Sequence, residues 1–177
     1  MTEAAAKLVG DDGCGLETLL TYVSKERRGD LFRYVDEVIE HDDYEFDYQF
    51  LGFIVDYINY AAILKRKVDV HEMRAPWDKD PVPPITVYDV GCSNALQHLV
   101  FDPRIHYVGI DMIGEPEPQF FRDNCRFVQG RFSDVAAGLK IDPRNSVGIA
   151  NMSLLYFVSD DDAIGLFDRT FRQKFVL

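Results

Sequence analysis

The spacing of apolar residues changes character near residue 85. Before that point they recur every three or four positions, as on one face of a helix. Leu16, Leu19, Leu20 and Val23 predict a first helix, closed by the polar stretch Lys25 to Gly29. Asp30 reads as the N-cap of a second helix, with Leu31, Tyr34, Val35, Val38 and Ile39 on one face. After the acidic segment His41 to Asp47, Phe46, Phe50, Phe53, Tyr57, Ala61 and Leu64 make a broad apolar stripe, widened by Ile54 and Ile58. They predict a third, longer helix, with Lys65 to Lys67 at its negative end. Residues 1–15 read as a mobile start or a short helix and loop. From His71 onward the pattern is that of a linker, held extended by Pro76, Pro81, Pro83 and Pro84. Trp77 in this stretch is read as an anchor for the loop, with closure over a ligand as the alternative.

After residue 85 the apolar residues come in short runs. Ile85 to Val90, His106 to Met112, Cys125 to Gln129, Asn145 to Ala150 and Lys174 to Leu177 each predict a strand, rich in β-branched and aromatic residues. Helical signals lie between them. Leu96, Leu99 and Val100 follow a Ser93 or Asn94 cap; Glu115 to Asn124 carries Phe120 and Phe121; Val135 to Lys140 allows at most two turns. Ser159-Asp160-Asp161-Asp162 opens a further helix whose buried face is Ile164, Phe167, Phe171 and Leu166. Strands alternating with helices predict an α/β fold, Rossmann-like and doubly wound around a mainly parallel sheet of about five strands. The expected organisation is a helical cap over residues 1–75, a Pro-rich linker over 76–84 and an α/β domain over 85–177.

Composition narrows the function. The chain is 47% hydrophobic, which suits a packed core. Its net charge of −11 argues against binding nucleic acid, which rests on Lys and Arg neutralising phosphates. The acidic excess lies mostly in the first 84 residues. Cys14, Cys92 and Cys125 give neither an even disulfide framework nor a Cys-x-x-Cys pair, so a reduced, cytoplasmic setting is expected. The most apolar stretch, Phe50 to Leu64, contains Asp56 and Asn59 and is too short and polar to span a bilayer. No metal-ligand spacing is present, so no metal is expected.

The chemistry-bearing residues gather around the first strand. Asp89 lies inside an apolar run, Gly91 marks a sharp turn, and Asp111 ends the second strand 20 residues after Gly91. That is about the offset at which a doubly wound nucleotide-binding fold places an acid on ribose hydroxyls. A buried acid needs partners, and the amides of the following loop are the candidates for Asp89.

Asp89-Val90-Gly91-Cys92 resembles the first motif of class I S-adenosylmethionine (SAM) dependent methyltransferases, and Tyr107 to Asp111 resembles the second. The resemblance covers Ile85 to Leu177. It implies a cofactor site for SAM formed by Asp89, Gly91, Cys92 and Ser93 in the loop and by Asp111 on the ribose. Met112 would pack on adenine, or belong to the core. Members of the family often carry glycines two and four residues after the first; this chain has Ser93 and Ala95 there. The family's acid near the adenine amine follows a glycine directly. Here Arg131 follows Gly130, and Asp134 is the acid within reach of that role. Asn151, after the fourth strand, begins Asn-Met-Ser-Leu-Leu-Tyr-Phe, similar to the segment of family members that act on small molecules or protein side chains. A catalytic role for Asn151 or Tyr156 and a plain strand-to-helix turn both remain open. His41, His71, His98 and His106 are the candidate bases, none of them in a motif.

Two functions follow. One is a SAM-dependent methyltransferase with an unidentified methyl acceptor; the other is a non-catalytic binding or interaction protein on the same fold. The family's final antiparallel hairpin is expected to be absent, because the sequence ends within the fifth strand. Lys174 to Leu177 would then be a sheet edge. The N-terminal segment covers it, a second copy pairs with it to give a homo-oligomer, or a longer protein continues from it.

Overall fold

A computed structural model describes residues 48–74, 83–93, 95–112, 121–151 and 161–176. The expected helices within residues 1–47, the Trp77 loop, and Tyr156 lie outside these residues. The chain divides into two compact units, Met1–Lys65 with Leu99–Phe101, and Arg66–His98 with Asp102–Leu177.

Helix α1 runs over Tyr48–Arg74, 27 residues. In the first unit its Tyr57, Ile58, Ala61 and Leu64 are buried, as the apolar stripe predicts, and the Tyr57 ring meets Phe101 edge-on at 6.3 Å. The helix does not stop at Lys65 to Lys67. A basic cluster suits a helix end but does not make one, and no proline or glycine interrupts the next two turns. Val68 is buried there, and Asp69 and Glu72 are both held by Arg104. The described helix ends at Arg74, two residues before Pro76, which disfavours helical backbone in the residue preceding it. Among the described residues no helix is long and apolar enough to cross a membrane.

The second unit is a Rossmann-like α/β fold. Its strands are β1 (Thr86–Val90), β2 (His106–Asp111), β3 (Cys125–Gln129), β4 (Ser146–Ala150) and β5 (Gln173–Val176). All pair in parallel, in the order β3-β2-β1-β4-β5. β1, β2 and β4 are almost wholly buried, which is why they read as unbroken apolar runs. Tyr88, Val90, Val108, Ile110 and Ala150 share one sheet face and pack on Phe132, Phe167 and Phe171. Burying each such phenylalanine contributes roughly 1.5–3 kcal/mol. Gly148 makes the fit: a Cβ there would lie 2.5 Å from Phe171 Cδ2 and 2.7 Å from Phe167 Cζ. These rings come from α2 (Phe132–Val135) and from α3 (Asp161–Thr170) with the residue after it. The inward face of α3 carries Phe167, Phe171 and Leu166 as expected, but Ile164 is exposed and Ala163 takes its place inside.

Two connections differ from expectation. The segment after Gly91 holds a single 3-10 helix, Leu96–Val100, rather than an α-helix. Of the helix expected over Glu115 to Asn124, residues 115–120 lie outside the described residues, and Phe121 to Asn124 is turn and coil. There the Asn124 side-chain amide donates to the carbonyls of Pro103 and Ile105, both at 2.7 Å. Such side-chain-to-backbone bonds compete with helix. β5 is the outer strand among the described residues, with Phe175 half-buried and Val176 exposed. Lys67 of α1 donates to Gln173 at its start at 2.5 Å.

Candidate functional site

The strand order reverses direction between β1 and β4. In open parallel sheets the crevice outside the carboxyl ends of the strands at such a point is where ligands bind. The β1 loop, the ends of β2 and β3, and Asn151 after β4 all lie at this edge.

The loop after β1 is bent tightly. Gly91 has φ 78°, Ser93 φ 53° and Ala95 φ 65°, so every second residue is left-handed. For Ser93 and Ala95 this is a rare conformation, costing on the order of 1–2 kcal/mol each. Gly91 N–H donates to Ile110 O at 2.7 Å, and Ala95 N–H to Cys92 O at 2.9 Å. Gln97, itself buried, donates from Nε2 to the same Cys92 carbonyl at 3.1 Å. The loop folds back onto the sheet at Gly109, where an added Cβ would lie 2.7 Å from Cys92 Sγ and 3.0 Å from Ala95 Cβ. Cys92 is thus sealed by its side chain and reaches the site through its backbone. Burial, and then the charges of Asp89 and Asp111, push its thiol pKa well above the ordinary range, so the thiol stays neutral.

The two strand acids have different surroundings. Asp89 is wholly buried and accepts the Tyr107 hydroxyl at 2.6 Å. This partner is visible only in the sheet, where Val87 pairs with Tyr107 and Asp89 with Gly109, so that both side chains share a face. Asp111 is half-buried at the end of β2. Its Oδ2 accepts the Ser93 N–H at 2.9 Å. This bond ties the β1 loop to the next strand.

Met112 follows at the surface, 40% exposed. Arg131 Nε donates to its sulfur at 3.2 Å. Asp134 lies exposed on α2, where its carboxylate accepts the Ser133 hydroxyl at 3.2 Å. Asn151 directly follows β4. Both its Nδ2 and its Oδ1 are shut off from solvent, and neither has a hydrogen-bond partner among the described residues. Each such orphan costs on the order of 1–3 kcal/mol, which marks a group that a ligand can satisfy.

The structure therefore joins Gly91, Cys92, Ser93 and Asp111 directly, sets Asp89 behind them and Met112 beside them. Asn151 stands at the same edge, and Asp134 has no described contact with the group. Gln97 belongs to this neighbourhood although no motif marks it; Tyr107, which opens the segment resembling the second motif, and Arg131, which follows Gly130, belong to it although neither carries an expected role. Two candidate bases lie elsewhere. His98 is buried against the rings of Tyr107 and Phe121, with Nδ1 2.9 Å from Ala95 O. His106 is the first residue of β2, at the opposite edge of the sheet. Among the described residues no cluster of three or more His, Cys, Asp or Glu gathers to hold a metal ion. The sequence matches no protein-family model, and no curated protein aligns with it significantly.

Proposed function

We propose that this sheet edge binds S-adenosylmethionine and that the protein is a cytoplasmic SAM-dependent methyltransferase for a small molecule or a protein side chain. The observation that carries this reading is the β1 loop. Its three left-handed positions fall where the resembling family often has glycines, and two of them are held by Ser93 and Ala95. A backbone that adopts glycine geometry without glycine, beside an acid at the end of β2, supports a loop selected for close approach to a ligand.

The residues fit the cofactor. Asp111, at the end of β2 and tied to the Ser93 N–H, would hold the ribose hydroxyls. The Gly91–Ser93 backbone would follow the methionine portion. The orphaned amide of Asn151 would take polar groups toward the reacting end, across β1 from Asp111. When bound, SAM supplies an electrophilic methyl group on a sulfonium, already a good leaving group. The chain's part is to orient the acceptor in line and exclude water. Neither His98 nor His106 stands at this edge, and His41 and Tyr156 lie outside the described residues. The second reading is a binding protein without catalysis on the same site. The unpaired Cys92 and Cys125 support a reducing compartment.

Titration calorimetry with SAM and S-adenosylhomocysteine tests the reading. Asp111→Ala should weaken both by roughly 1.5–3 kcal/mol, the scale of hydrogen bonds to a charged group, with little change in Tm because Ser93 N–H turns to solvent. Equal binding by parent and variant would sink the assignment. Tight binding with no S-adenosylhomocysteine formed from any pool of acceptors would favour the non-catalytic protein.

A further inference from the structure

We infer that Gln129 sets the base specificity of the nucleoside site, its side-chain amide being complementary to the 6-amino edge of adenine. The inference rests on the SAM reading above. Asp111 on β2 pairs with Gln129 on β3. Paired residues of a parallel ladder send their side chains to the same face, here one strand apart, roughly 5 Å. It is the face on which the β1 loop lies, because Gly109, two residues before Asp111, is where Cys92 and Ala95 fold against the sheet. Gln129 is the last residue of β3 and is exposed. A ligand with its ribose on Asp111 and its other end over the β1 loop has its base on the remaining side, over the end of β3. The Gln129 amide stands there.

The amide has a set polarity. Its Nε2 donates to Met112 O at 3.5 Å, and Met112 is gripped in turn at its sulfur by Arg131 Nε at 3.2 Å. Turning the amide over would set Oε1 against that carbonyl, acceptor against acceptor. The favoured setting keeps Nε2 as the donor end, with a second hydrogen to give, and Oε1 as the acceptor end. Adenine offers the matching pair along one edge: its 6-amino group donates, and the neighbouring ring nitrogen accepts. A two-point pairing of this kind is how side-chain amides distinguish adenine from other bases. A 6-oxo purine reverses the edge. Its oxygen would meet Oε1, and an amide turned over to suit it would lose its bond to Met112 O.

Calorimetry on the full chain decides this with two probes, S-adenosylhomocysteine and its 6-oxo analogue, S-inosylhomocysteine. The parent should prefer S-adenosylhomocysteine by at least about fivefold. Gln129→Leu should abolish that preference without lowering Tm, since Gln129 is exposed. Gln129→Glu should keep it, because a carboxylate oxygen still accepts from the amine and has nothing to donate to a 6-oxo group. The ratio between the probes is the readout, so a general loosening of the site, which weakens both alike, does not imitate the result. A smaller preference in the parent, one that persists in Gln129→Leu, or one that is lost in Gln129→Glu overturns the inference while leaving the SAM reading standing. A parent that binds neither probe overturns the SAM reading, and this inference with it.

Discussion

Replacing Gly109 with alanine tests how the ligand loop rests on the sheet. In a strand interior, alanine normally improves on glycine by roughly 0.5–1 kcal/mol through backbone entropy. Here the opposite sign is expected. The new Cβ would stand 2.7 Å from Cys92 Sγ, 3.0 Å from Ala95 Cβ and 3.3 Å from Tyr107 Cε1. Cys92 and Ala95 are wholly buried, the alanine has no rotamer to change, and the loop is tied down by Gly91 N–H and Gln97. Overpacking of this kind costs about 2–3 kcal/mol. Cys92→Ala alone should cost about 1 kcal/mol for the small void it leaves. With the sulfur gone, Gly109→Ala meets only the two longer contacts and should cost about 1 kcal/mol. The double mutant is therefore more stable than the sum of the singles by about 1–2 kcal/mol. Urea unfolding of the four proteins measures this, with unchanged m-values showing that stability alone has moved. A neutral Gly109→Ala, or strict additivity, would refute the seating of the loop on β2.

Two further outcomes follow from the same neighbourhood. Ser93→Gly relieves a left-handed serine but frees the unfolded chain, so it should stabilise by about 0.5–1 kcal/mol net; a loss in urea midpoint would mean that Ser93 is not left-handed. Tyr107→Phe removes the phenol from buried Asp89 and should destabilise by roughly 1.5–3 kcal/mol, whereas Tyr88→Phe, on the other sheet face, serves as the control; equal losses in thermal unfolding would contradict a special Tyr107–Asp89 bond.

The sheet was legible because buried parallel strands must be apolar along their whole length. Ile85 to Val90 and Asn145 to Ala150 announce themselves by β-branched runs, and Asp111 marks where β2 leaves the core. The end of α1 is harder to read, because a basic cluster such as Lys65 to Lys67 is as compatible with the middle of a longer helix as with its end. What continues the helix is burial of Val68 and the grip of Arg104 on Asp69 and Glu72, and Arg104 is more than thirty residues away. The 3-10 segment after Gly91 is hidden for a different reason. Ser93 and Ala95 carry no signal of left-handed backbone, since their residue types usually avoid it. The Tyr107–Asp89 bond depends on strand register, which local sequence does not specify. The orphaned amide of Asn151 depends on packing around β4 that no motif encodes.

The strained loop and its surroundings explain one another. Left-handed serine and alanine persist only where neighbouring structure over-determines them, and here it does so on three sides. Gly109 opens the space into which Cys92 and Ala95 fold. Ile110 O receives Gly91 N–H, and Cys92 O receives both Ala95 N–H and the Gln97 amide. Asp111 takes Ser93 N–H. These contacts fix the loop before any ligand arrives, so binding has little of it left to order. They also divide the work between the two strand acids. Asp89, buried and bonded to Tyr107, backs the loop without facing solvent. Asp111, half-exposed, holds the loop with one oxygen while its edge of the sheet stays accessible. Half-exposed Asp111 beside the loop would favour a ligand that is cationic near β1, as the sulfonium of the proposed cofactor is.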